Sequence, residues 1–358
     1  MVYLELGSLA QAGGPDPDRV VTDLGPEHPT RAGLVRIAVE LDHQGLITQV
    51  DIQPGFLHRG AEKLFEVRDY RQVLMLADRH DWQAPFFGEL GVALACENLL
   101  GLAPPARATV LRTLLAEVAR IHSHLGFCTF VPFHQRRDDL ASLVRRARDE
   151  TRTLMLAWTG NRLHPMLNRL GGLATDAPEG WFDRLDAWLV LVDETTRALA
   201  EAVGDEQWRA DTAVGTLTRE VAAGYGVTGP AARSALGNGG TGTTTARFDE
   251  WVRELGQSSA QVRRSADEAR TTTGPVNVPL SKIIKLPDAE AWTEIEAPQG
   301  IAGFHLVSRG GTTPWRLALR TPTFANVNVL HALLVGCRLD QVGIVVAGLG
   351  WTIGDLDK

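Results

Sequence analysis

The sequence predicts an α+β protein with a helical-bundle core between a small N-terminal β element and a mixed C-terminal element. Three observations predict it. Two weakly alternating segments flank a glycine-containing turn near the N-terminus. Apolar residues then recur at helical spacing from Ala61 to Arg270. Past Thr271 that period fades into strand-like runs around a second glycine turn. The expected units are 1–60, an arm and β-hairpin; 61–275, the helical core; and 276–358, the mixed element.

Residues 1–31 are rich in Gly, Pro and Asp and read as an irregular arm. Segments 34–39 and 47–52 flank Asp42-His43-Gln44-Gly45 and predict a hairpin. Residues 87–100 are mostly apolar, as in a buried helix that stops at Gly101 with Pro104 and Pro105 beyond. Leu111, Leu114, Leu115, Val118, Ile121 and Leu125 keep a three-four spacing, predicting an amphipathic helix over 106–127 that Pro132 breaks. Further helices are expected at 138–158, 181–203 and 248–270, and a flexible loop at 237–243. Strands are expected at 303–307 and 315–319 across Arg309-Gly310-Gly311-Thr312. The apolar run 343–349 reads as a buried strand or a close-packed tail.

Composition excludes several classes of function. A chain of 358 residues can bury a large core, and 44% hydrophobic with 22% charged residues is the balance of a globular protein. A net charge of −7 argues against nucleic acid as the main partner. The local basic run Arg145, Arg146, Arg148 and Arg152 reads as a solvated helix face. Cys96, Cys128 and Cys337 are scattered with no CxxC, so neither a zinc ribbon nor a cysteine-held iron–sulfur cluster is expected here, and each reads as a small core residue. No window approaches about 18 uninterrupted apolar residues, so no transmembrane helix is expected. The N-terminus lacks the basic start and apolar run of a secretion signal. GNGGTGTTT and SRGGTT lack the lysine of a phosphate loop and the strand–GxGxxG–helix setting, so no nucleotide site is expected.

The densest chemistry lies between Gly25 and Trp82. Two turns each carry a histidine, His28 and His58. A charged run follows: Arg59, Glu62, Lys63, Arg68, Asp69, Arg71, Asp78, Arg79, His80 and Asp81. Such density suggests ion pairing around something buried. GFLHRGAEK, DYRQ and DRHDW come in order; EGWFDRL, VTGP, the long run EIEAPQGIAGFHLVSRGGTTPWRLALRTPTFANVNVL and IGDLDK follow. This order and spacing resemble the D subunit of respiratory complex I, the proton-translocating NADH:quinone oxidoreductase, nearly end to end, with 213–276 shorter and more diverged.

The resemblance implies a nickel–iron hydrogenase large-subunit-like fold and a place in a multi-subunit, membrane-associated oxidoreductase. It implies a neighbouring subunit that carries the terminal iron–sulfur cluster, further peripheral-arm subunits and a membrane arm. It implies quinone as substrate, no metal or nucleotide held by this chain, and a peripheral position on the cytoplasmic face of the bacterial membrane. Arg59 and Arg79 match arginines beside the cluster, and His164 a histidine that titrates with it. A fixed positive charge would favour the reduced cluster, and a histidine could take up a proton as the electron arrives. The alternative for the arginines is pairing with Glu62, Asp78 or Asp81.

The quinone-facing pattern departs from the family. His28 keeps its place, but the second histidine of the first turn is Ala32, the partner tyrosine is Trp82, and the orienting aspartate is His134, thirty residues before His164. Quinone reduction needs protons at both oxygens; alanine supplies none, and indole donates a hydrogen bond without releasing its proton. His134 either replaces the missing histidine or is a loop histidine. The alternative function is a scaffold paralogue with an impaired quinone site. His122 reads as a core or interface residue, His124 as lying off that face, and His43 as a turn residue. His80 beside Asp81 reads either as a tuned base or as a structural hydrogen bond. Asp355 and Asp357 match the family's acidic ending without an assigned role.

Overall fold

The computed structural model describes residues 2–6, 19–22, 35–236 and 240–358. The expected hairpin is β3 (Val35–Leu41) with β4 (Ile47–Gln53), antiparallel, with Ile37 opposite Ile52 and Val39 opposite Val50. His43 is exposed in its turn. The N-terminal arm is more regular than its composition suggests. It contributes β1 (Val2–Leu6) and β2 (Arg19–Thr22), giving a four-stranded sheet of order β2-β1-β3-β4 in which β1 runs antiparallel to β3 and parallel to β2. Pairing with an existing hairpin supplies hydrogen bonds that a Gly/Pro/Asp-rich stretch does not announce.

The helical core follows. Two short helices, α1 (Ala61–Phe65) and α2 (Tyr70–Ala77), carry the charged run; Asp69 and Gln72 close a reciprocal capping box on α2. Then α3 (Pro85–Leu100) begins with Pro85 and ends at Gly101 in the left-handed conformation. Most of it is buried, with Asn98 alone exposed, and Gly91 permits its approach to the C-terminal sheet: a Cβ there would lie 2.1 Å from the Phe304 ring. Next come α4 (Ala106–Cys128), the short α5 (Phe130–Gln135) and α6 (Asp138–Thr159). The break falls at Thr129, three residues before Pro132, as the missing N–H and ring clash with the preceding turn require.

A tight hairpin, β5 (Asn168–Arg169) and β6 (Gly172–Leu173), leads to α7 (Trp181–Val203). After it come α8 (Glu206–Thr212), α9 (Arg219–Tyr225), α10 (Gly229–Leu236) and the long α11 (Thr244–Thr271), which packs along α4 and α7. The basic run on α6 is not uniformly solvated: Arg145 and Arg146 are exposed, whereas Arg148 is buried and donates to Gln83 Oε1 at 2.9 Å. Part of the expected loop at 237–243, residues 237–239, lies outside the described residues.

The C-terminal unit opens with β7 (Asp288–Ala297), which the sequence reading did not separate from loop. It pairs with β8 (Gly300–Arg309), itself paired with β9 (Arg316–Arg320), forming an antiparallel sheet of order β7-β8-β9. Short helices finish the chain: α12 (Pro322–Asn328), α13 (Leu330–Leu333), α14 (Val342–Ala347) and α15 (Ile353–Leu356). The apolar run expected as a buried strand or tail is thus the helix α14. A short apolar segment without periodicity does not discriminate between the two.

Two apolar clusters result. The larger joins α2–α8 and α11 with the inner face of the β7–β9 sheet. The smaller joins the N-terminal sheet to α9, α10 and the C-terminal helices, so the two ends of the chain share a core. Cys96, Cys128 and Cys337 are all buried, as expected of small core residues.

Candidate functional site

The segment between α2 and α3, residues 78–84, is where the charged motif meets the rest of the molecule. Asp78, at the end of α2, is fully buried. Arg79 Nε lies 2.7 Å from Asp78 Oδ1, an ion-pair approach without hydrogen-bond alignment. His164 closes from the other side. Its Nδ1 is 3.2 Å from the Asp78 carbonyl and 3.5 Å from Oδ2. Arg79 also donates through Nη2 to Met166 Sδ at 3.4 Å. The Arg79 carbonyl accepts from Arg59 Nη2 at 2.9 Å and from Trp82 Nε1 at 3.1 Å, and the Arg59 guanidinium sits 5.9 Å from the Trp82 ring.

Arg59, Arg79, Trp82 and His164, spread over more than a hundred residues of sequence, therefore meet around one short turn. Of the carboxylates weighed as partners for the arginines, Asp78 pairs with Arg79. Glu62 instead turns to Arg316, to the Leu319 amide at 2.9 Å and to Lys358 at 3.2 Å. His28 and Ala32 lie outside the described residues. His134 stands apart from the turn in its contacts. Its Nε2 is 3.6 Å from Asp211 Oδ2, and its ring meets Trp208 edge-on at 5.5 Å and Phe130 at 5.9 Å.

The loop holding Arg59 is fixed from the far end of the chain. Asp357 accepts from the Gly55 and Leu57 amides at 2.7 and 2.8 Å, which gives the acidic C-terminus a role that the sequence left unassigned. Behind His164, Glu89 of α3 pins the following strand: its Oε2 accepts the Asn168 amide at 2.7 Å, while Oε1 is buried without a hydrogen-bond partner. Burial pushes Glu89 up to about 8. The Asn168 amide opposes that rise and the Asp78 charge adds to it. A raised folded-state value means that the folded chain binds the extra proton between about 4.5 and 8, so this contribution to stability is complete below that window and is lost as pH rises through it. Glu89→Gln is expected to flatten the fall in thermal stability between pH 6 and 9, an effect of at most about 3 kcal/mol. Parallel curves for the two proteins would contradict the assignment.

Sequence reasoning missed other buried polar groups. His124, read as off the apolar face, is buried and hydrogen-bonds Glu254 Oε2 at 2.8 Å; Arg233 pairs with the other Glu254 oxygen. Burial pushes Glu254 up, but His124 and Arg233 outweigh it and bring it to about 2. His122 is buried as expected, and burial followed by Arg148 and Arg152 holds it well below its ordinary value. His80, read as either a base or a structural partner of Asp81, instead contacts Asp355, 275 residues away, through Nδ1 at 2.7 Å. No local signal could have found that pairing. Among the described residues, no group of three or more His, Cys, Asp or Glu side chains is placed to hold a metal ion, and no helix is long and apolar enough to cross a membrane.

Residues 140–238 and 246–358 match the family model described as "Respiratory-chain NADH dehydrogenase, 49 Kd subunit". The chain belongs to that family. A relative from Salinispora tropica, named as a D subunit of NADH-quinone oxidoreductase, is 36% identical, with 95% of this chain and 93% of the relative covered. A D subunit of the same name from Streptomyces coelicolor is 36% identical over 97% of each chain. The corresponding protein of Desulforamulus reducens, again named as an NADH-quinone oxidoreductase D subunit, is 30% identical over 95% of this chain and 98% of its own. As a 49 Kd-type subunit the chain is a component of a respiratory NADH:quinone oxidoreductase, and its α+β architecture is that of a helical core flanked by two sheets.

Proposed function

We propose that the turn at residues 78–82 is the working face of this subunit. Arg59, Arg79 and His164 would stand beside the terminal iron–sulfur cluster of a partner subunit, and Trp82, His134, His28 and Ala32 would line the adjoining quinone cavity. The observation that carries this reading is the convergence of Arg59, Trp82 and His164 on the Arg79 backbone and the buried Asp78. The cluster would deliver electrons, and quinone would take up two electrons and two protons to become quinol. This chain's own contribution is to hold positive charge at Arg59 and Arg79, to orient His164 against Asp78, and to wall the ring with Trp82. His134 would be the proton donor in place of the histidine absent at Ala32, reaching the cavity from its own contacts with Asp211, Trp208 and Phe130. The other peripheral-arm subunits, a membrane arm, the cytoplasmic face of the membrane and a hydrogenase-like ancestry of the fold belong to the same reading.

Arg59 offers the cleanest test, because it is exposed and its hydrogen bond is to a backbone carbonyl rather than to a buried carboxylate. Removing a fixed positive charge beside a cluster disfavours its reduced form. Arg59→Met is expected to lower the midpoint potential of the partner's cluster in the assembled complex, read by redox titration of its paramagnetic signal. An unchanged potential would move Arg59 away from the cluster and sink the reading.

A further inference from the structure

Trp82 has a second group of titratable side chains behind it. His80 and Asp81 precede it in the turn, and Asp355 reaches them from α15. All three are nine-tenths or more buried. His80 Nδ1 lies 2.7 Å from Asp355 Oδ1. Asp81 Oδ1 accepts the Gln83 amide at 3.0 Å and the Thr352 hydroxyl at 3.1 Å, and the Asp355 carbonyl accepts from Thr321 Oγ1 at 2.9 Å. Gly354 brings this group against the indole: a Cβ there would stand 2.4 Å from the His80 carbonyl and 3.0 Å from the Trp82 ring. Two buried polar atoms of the group, His80 Nε2 and Asp355 Oδ2, have no hydrogen-bond partner.

We propose that His80, Asp81 and Asp355 form a buried proton-holding site that supplies the quinone pocket from behind Trp82. The role rests on the quinone reading above. Two carboxyl groups and an imidazole share a space closed to solvent, where an unbalanced double negative charge is costly, so the group keeps a proton that a solvated trio would release. Burial first, and then the charge of Asp355, push Asp81 up to about 7, with His80 opposing. The groups that face Asp81 are thus Asp355 from the C-terminal segment and His80 from its own turn. From α3 the ring of His80 meets the backbone at Gly88, while Glu89 faces Asp78 and Asn168.

His80 Nε2 and Asp355 Oδ2, buried and without a hydrogen-bond partner, are the atoms of the group left free to share the proton it holds. In turnover, two electrons come from the partner's iron–sulfur cluster. The trio gives up one of the two protons that quinone takes on becoming quinol, His134 gives the other, and the trio is reprotonated through the pocket once quinol has left. These are proton-storing residues acting through the pocket wall, not residues in contact with the substrate.

The test uses the whole complex isolated through this chain, with His80→Gln and the nearly isosteric Asp81→Asn, which keeps the acceptor oxygen for Gln83 and Thr352. Quinone reduction is followed across pH 6–9, with infrared difference spectra of the same samples. The expected result is a kcat lowered about tenfold in His80→Gln with KM changed less than about twofold, the loss of one proton-transfer step being worth at least that factor. Asp81→Asn should also lack the protonated-carboxyl band that the parent complex loses near pH 7. Wild-type kcat and pH profile in both variants would overturn the proposal, as would a parent complex with no titrating carboxyl band. A parent complex that shows the band but reduces no quinone would overturn the quinone reading and the role built on it, which separates that failure from a failure of the trio alone.

Discussion

Arg112→Ala is expected to destabilise the chain by about 3–5 kcal/mol, the range for removing one partner from a buried ion pair. Arg112 and Glu97 are both nearly inaccessible and meet in a two-pronged pair at 2.8 and 3.0 Å, joining α4 to α3. The same guanidinium donates to the carbonyls of Arg169 and Gly172 at 2.8 and 2.9 Å, and Glu97 accepts the Gly171 amide at 2.8 Å. Removing it leaves a carboxylate uncompensated and frees the β5–β6 turn, to which the His164 loop is tied. The loss should be larger than that of a surface pair such as Arg152–Asp149, which is worth at most about 1 kcal/mol. Denaturant unfolding of both variants decides it: similar small losses for the two would show that Glu97 relaxes into solvent.

Gly354→Ala carries the second large effect, and it is local. The added methyl would meet the His80 carbonyl at 2.4 Å, a backbone atom that cannot rotate aside, and the indole of Trp82. Overpacking of this kind costs about 1–3 kcal/mol. The strain falls on the turn that carries Arg79 and Trp82 and on α15, which carries Asp355. Quinone reduction by the assembled complex should fall at least tenfold while the subunit still assembles. Full activity with unchanged tryptophan fluorescence would show that α15 yields without moving Trp82.

The long helices were legible because their periodicity is strong. The reading 181–203 coincides with α7, and 106–127 stops one residue short of α4. The short helices α8, α9, α10 and α12–α15 were not, since segments of four to eight residues complete too few turns for a period to emerge. The β1–β2 pair was hidden by a turn-rich composition, whereas β7 does carry a strand's alternation, charged residues outward and Ala291 and Ala297 inward, which the reading passed over. In the candidate site, Arg59, Arg79, Trp82 and His164 came from family resemblance, and the geometry adds what joins them: a buried Asp78 and one shared carbonyl. Glu89–Asn168, His80–Asp355 and Asp357–Gly55 join residues 79 to 302 positions apart, and pairings at that separation leave no trace in local pattern.

Quinone reduction by the complex isolated from membranes through this chain, fed by a low-potential electron donor, tests the central claim most directly. The account predicts inhibitor-sensitive turnover that falls when Trp82 and His134 are replaced. A complex that assembles intact and does not reduce quinone would contradict it.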